Sequence, residues 1–132
     1  MVVLTAALGL TACVSTNPDG GAMENTIALI NATVPSAVAV AAAHEPGSVP
    51  ALRVSAGLIR EAAIGPTADL PLLVSQLRDL GMRPEAELAV LGGVALWQAY
   101  LAQHPDATTE QSRQVLLAVS NAITAGLPKE AR

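Results

Sequence analysis

Few side chains in this chain of 132 residues are of types that do chemistry, and their spacing rarely matches what chemistry needs. His44-Glu45 begins like the His-Glu pair of a helical zinc site. Pro46 breaks that helix, however, and no histidine follows four residues on. The other histidine, His104, stands beside Pro105 in the same helix-ending context. With two histidines and the single cysteine Cys13, no metal site is expected. Ser55-Ala56-Gly57 lacks the first glycine of a nucleophile elbow. Gly20-Gly21 and Gly92-Gly93 lack the remaining residues of a phosphate loop. Glu85 and Glu87 are two apart, so they do not share a helix face; a helix N-terminus explains both. Arg78 and Arg83 flank a turn and read as solvated charges rather than an anion site. A lone glutamate acid would have to be Glu61, which lies opposite the apolar stripe of its helix. No catalytic residue and no cofactor is expected, and the chain reads as a non-enzyme.

Cys13 is the exception. It closes an uncharged apolar run from Met1 and follows Leu10-Thr11-Ala12. This tetrad resembles the lipobox of bacterial lipoproteins, where a signal peptidase cuts before the cysteine and its thiol receives a diacylglycerol. The resemblance covers only the first twenty or so residues. It implies a signal peptide over residues 1–12, a flexible tether over 13–23 and a helical domain over 24–132. The run Val2–Ala12 has the length of a signal-peptide core and is far short of the ~20 residues that span a bilayer. It departs from the export pattern in having no Lys or Arg ahead of it, as a start placed a few codons late would produce. Val14–Gly21 is polar and contains Gly and Pro, a tether composition. Val14 also stands where an aspartate would resemble an inner-membrane retention signal. The resemblance therefore implies a lipid-anchored protein of the cell envelope, at the outer membrane and facing the periplasm.

Without its first dozen residues the chain keeps about 120, enough for one modest core. The composition is 52% apolar but 2% aromatic, with no Phe, one Trp and one Tyr. Ala, Val, Leu and Ile must carry the core, so helices have to approach closely to bury enough surface. A formal charge of −4 and a pI near 4.9 argue against nucleic-acid binding, which wants clustered Lys and Arg.

Proline and glycine punctuate segments that read as helices, giving an all-α bundle of about five. Glu24–Val34 forms a first helix that Pro35 breaks or kinks, and Ser36–Ala43 a short buried one. Pro50 opens a helix with Leu52, Ala56, Ile59 and Ala63 on one face and Arg53 and Arg60 on the other. Asp69 caps a helix through Leu80, with Gly81 just past its end. Pro84 starts a helix that His104-Pro105 stops. Thr108 and Gln111 are spaced as a capping box for the last helix, whose stripe is Val115, Leu116, Val119 and Ile123.

From Leu88 to Trp97 every residue is apolar or glycine, which predicts the centre of the bundle, with a groove or face offered to a partner or to lipid as the alternative. Gly92-Gly93 would admit a crossing helix. Trp97 and Tyr100, the only aromatics, read either as core anchors with polar tips at the rim or as an exposed interface pair. Two functions follow, with a small envelope enzyme as a third that no residue constellation supports. One is a non-enzymatic, lipid-anchored scaffold or accessory subunit of an envelope assembly, with an envelope protein or a second copy as partner. The other is a module binding a lipid or other apolar ligand in a cavity lined by Leu88, Leu91, Val94 and Leu116.

Overall fold

The computed structural model describes residues 21–65 and 70–128. Five α-helices and no strand are present among them: α1 (Gly21–His44), α2 (Val49–Ile64), α3 (Leu70–Arg78), α4 (Pro84–Gln103) and α5 (Thr109–Gly126). A single 3-10 turn, Pro46–Ser48, joins α1 to α2. The all-α bundle anticipated from proline and glycine punctuation is the observed architecture. The proposed signal peptide, Cys13 and the Asp69 cap lie outside the described residues. α1 starts at Gly21, three residues ahead of the expected Glu24.

α1 corrects one expectation. It runs unbroken through Pro35, which joins the two segments expected to be separate. An interior proline removes one amide donor and crowds the carbonyl four residues back, costing about 3 kcal/mol. Here that carbonyl belongs to Asn31, which is exposed and open to water. Core packing on both sides of Pro35 outweighs the cost. Ile30, Val34, Val38 and Ala41 recur at i, i+4, i+8 and i+11, and none is more than 3% exposed. The second half is not fully buried either, since Ser36, Ala37, Ala39, Val40 and Ala43 face solvent.

The central helix is a second correction. α5 rather than α4 packs most extensively, chiefly against α1 and α2 and also against α4, and its predicted stripe of Val115, Leu116, Val119 and Ile123 is at most 1% exposed. α4 keeps one face open, with Leu88 71% exposed and Gly92, Ala95 and Ala99 beside it. Its uniform hydropathy comes largely from Ala and Gly, which have little apolar area to lose at a surface.

Close backbone approach compensates for the missing aromatics. A methyl on Gly93 would lie 2.8 Å from Val119 Cγ1 and 3.3 Å from Val34 Cγ2, so α1, α4 and α5 converge there as the sequence suggested. Gly92 has nothing within 4 Å and plays no such part. A methyl on Gly126 would meet the Pro35 carbonyl oxygen at 2.5 Å, so the end of α5 rests on the middle of α1.

Apart from Pro35, the predicted helix boundaries among the described residues hold. Gly81 turns the chain after α3 with φ +68°, the left-handed region that glycine enters without strain. Pro84 opens α4 with Glu85 and Glu87 in its first turn, and His104 caps its end. At α5 the Gln111 amide donates to Thr108 Oγ1 at 3.1 Å, and the Thr108 amide donates to Gln111 Oε1 at 2.9 Å.

Candidate functional site

Three polar assemblies carry the chemistry of the described residues. The first is a shallow groove of about 450 Å³ between α2 and α5. Arg53 and Arg60, two helical turns apart on α2, line it together with Ala56 and Gly57. Ser120, Asn121, Thr124 and Ala125 of α5 complete it. The side of α2 that the sequence marked only as polar thus borders a concavity. Its hydroxyls are already engaged: Ser120 Oγ donates to the Ala56 carbonyl at 2.8 Å and Thr124 Oγ1 to the Ser120 carbonyl at 3.2 Å. Among the described residues, no carboxylate, histidine or cysteine lines the groove. Two guanidinium groups without a nucleophile or base can attract an anion but cannot activate a reacting group.

The second assembly joins the end of α1 to the start of α4. His44 Nδ1 lies 3.1 and 3.0 Å from the two carboxylate oxygens of Glu85. Arg83 Nε lies 3.3 Å from Glu45 Oε1. His44-Glu45, which began like a zinc motif, is spent on ion pairing across the fold. Among the described residues no group of three metal-ligating side chains forms. The His44 and Glu85 side chains are 62% and 49% exposed, so the pair contributes about 0.2–1 kcal/mol at most. Arg83 is therefore engaged, and Arg78 stands exposed apart from it. Glu61 is exposed on α2, on the side away from the apolar interior. Ser55 Oγ is buried and donates to the Leu52 carbonyl at 2.7 Å. Ser48 Oγ is buried before α2 without a partner among the described residues.

The third assembly holds the aromatics. Trp97 and Tyr100 are 3% and 5% exposed, so they anchor the core rather than form an exposed interface pair. Trp97 Nε1 donates to the Ser112 carbonyl at 3.2 Å and to Ser112 Oγ at 3.1 Å, satisfying the indole where α4 meets α5. The Tyr100 and His104 rings lie 4.9 Å apart, tilted by 38°. Burial pushes the Tyr100 phenol above its ordinary range, and the charges of Asp106 and Glu24 add to the shift.

Among protein families, curated proteins and solved structures, nothing matches this chain. The site has to be read from its own geometry.

That geometry brings together caps, ion pairs and core anchors. It does not bring together Leu88, Leu91, Val94 and Leu116 around one cavity. Leu88 points out at 71% exposure while Val94 and Leu116 are packed at 1%. One functional contact escaped the sequence: Arg113 Nε donates to the Ala63 carbonyl at 3.0 Å. A cation there serves one of the last-turn carbonyls at the negative end of α2. The partners are 50 residues apart, and no local signal pairs them.

Proposed function

We propose that this chain is a membrane-anchored helical lipoprotein, acting as a non-enzymatic scaffold or accessory subunit of a cell-envelope assembly. The observation that carries the reading is the place of Cys13. It ends the lipobox-like tetrad eight residues ahead of Gly21, the first described residue of the bundle. Acylation at that position modifies no residue of the described core, which contains no cysteine. Packing supports the non-enzymatic part. Small side chains fill the interior, and the polar groups at its edges cap helices and join them. Two or more acyl chains would hold such a domain firmly, whereas one holds it only marginally. By the lipobox analogy, the tether faces the periplasm from the outer membrane.

The test is the intact mass and detergent partitioning of chain expressed with its native upstream region, beside Cys13→Ser. The reading expects a wild-type mass beginning at Cys13 with acyl groups added, recovery in the detergent phase, and loss of both in the variant. An unprocessed wild type that stays in the aqueous phase would refute it.

A further inference from the structure

α1 combines an apolar sequence with sparse cover. Between Asn25 and Ala43 it has no acidic residue, no basic residue and no histidine. Within Ala22–His44 the most apolar 18-residue window has a mean hydropathy of 1.7, yet only 28% of that window is buried. The inward stripe Ile30, Val34, Val38 and Ala41 accounts for most of the burial. Opposite it stand Ala32, Ser36 and Ala43, with Leu29 45% and Val40 50% exposed. The nearby Thr33 hydroxyl is turned back on the Leu29 carbonyl at 2.8 Å, which reduces its demand for water. A helix apolar on both sides can meet a second apolar neighbour besides its own core.

We infer that this outward face of α1 lies on the surface of the bilayer that holds the acylated Cys13. The inference rests on the lipoprotein reading above, and the chain length between anchor and helix is what selects the occupant. Cys13 precedes Gly21 by eight residues. Even fully extended, that segment reaches only about 28 Å, so α1 begins close to the headgroups whatever the segment's conformation. Leu29 lies a further ~12 Å along the helix axis. α1 lies along the bilayer rather than across it, because a spanning α1 would strip Ile30, Val34 and Val38 from α4 and α5. With no basic residue on the face, contact depends on apolar burial at the headgroup boundary and not on anionic lipid.

The full acylated chain tests this, since its Cys13 thiol is blocked by lipid and a second cysteine is the only free thiol. Leu29→Cys, Val40→Cys and, on exposed α3, Gln76→Cys each take an environment-sensitive fluorophore. Each is placed in vesicles of phosphatidylethanolamine and phosphatidylglycerol, with or without spin-labelled lipid. The expected result is blue-shifted emission and severalfold stronger quenching at positions 29 and 40 than at 76, unchanged by added salt. Equal, weak quenching at all three positions with intact acylation overturns the docking and leaves the tether standing. Shielding of 29 and 40 from solvent without lipid quenching, in a chain that sediments as a dimer, assigns the face to a second copy instead. An intact mass without acyl groups removes the tether and the docking together.

Discussion

Two adjacent glycines in α4 provide a matched test of the packing. Gly92→Ala and Gly93→Ala make the same change in mid-helix, so each gains about 1 kcal/mol of helix propensity. Only the surroundings differ. At Gly92 the new methyl meets nothing within 4 Å, and the whole gain should appear as stability. At Gly93 it would lie 2.8 Å from Val119 Cγ1 and 3.3 Å from Val34 Cγ2. Val119 cannot easily turn aside, because a helical valine has one strongly preferred rotamer and this one is 0% exposed. Overpacking of this kind costs about 1–3 kcal/mol. Gly93→Ala should therefore fall between neutral and about 2 kcal/mol less stable. The two variants should be separated by about 1–3 kcal/mol, or roughly 4 °C or more in Tm.

The assay is guanidinium and thermal unfolding followed by Trp97 fluorescence and far-UV circular dichroism, in a shared Cys13→Ser background. Trp97 is the only tryptophan and is 3% exposed, so its emission reports the α4–α5 contact directly. If Gly93→Ala proved as stabilising as Gly92→Ala, α1 and α5 would not close on α4 at that point. The account of close approach replacing aromatic bulk would then fail.

Three further outcomes are expected. Pro35→Ala should restore an amide donor for the exposed Asn31 carbonyl and raise stability by up to about 3 kcal/mol, with unchanged helix content; a loss of stability would mean that α1 needs the proline. Thr108→Ala removes one half of the capping box and should cost about 1 kcal/mol in chemical denaturation, whereas Thr109→Ala, which keeps that box, should cost less. Because the folded chain holds the Tyr100 proton more tightly than the unfolded chain, stability should be unaffected below the ordinary tyrosine pKa of about 10 and should fall as pH rises beyond it. Tyr100 is the only tyrosine, so ultraviolet titration reads its ionisation directly, and Tyr100→Phe should flatten the alkaline loss.

What could be read in advance was local. The Thr108–Gln111 box, Pro84 at the start of α4 and Gly81 past α3 involve residues within a turn of one another, so spacing alone reveals them. The stripes Leu52-Ala56-Ile59-Ala63 and Val115-Leu116-Val119-Ile123 are equally legible, because helical periodicity puts each set on one face. Pro35 misled because its penalty is local, whereas the packing that outweighs it comes from α4 and α5. Arg113 with Ala63, and His44 with Glu85, are 50 and 41 residues apart and meet only through the topology. Trp97 and Tyr100 were open to two readings because helical spacing places them on one face without saying whether a neighbour covers it.

Hydropathy misplaced the centre of the bundle for a reason specific to this composition. In a chain that is 52% apolar and 2% aromatic, much of the apolar count is alanine, which sits at a surface at little cost. α4 shows this, with Gly92, Ala95 and Ala99 exposed. α5 instead mixes in Gln114, Asn121 and Thr124 and still forms the centre, because its polar edge opens between α1 and α2 and lines the grooves beside them. Composition therefore overstates how apolar the outside of α4 is. α1 also exposes alanines, but its open side adds Leu29 and Val40 with no charge between Asn25 and Ala43, whereas α4 adds Leu88 three residues after the exposed Glu85. Of the two apolar helices with open faces, α1 is the one that follows Cys13 most closely in sequence. That proximity makes its outward face, rather than that of α4, the one to probe against a bilayer.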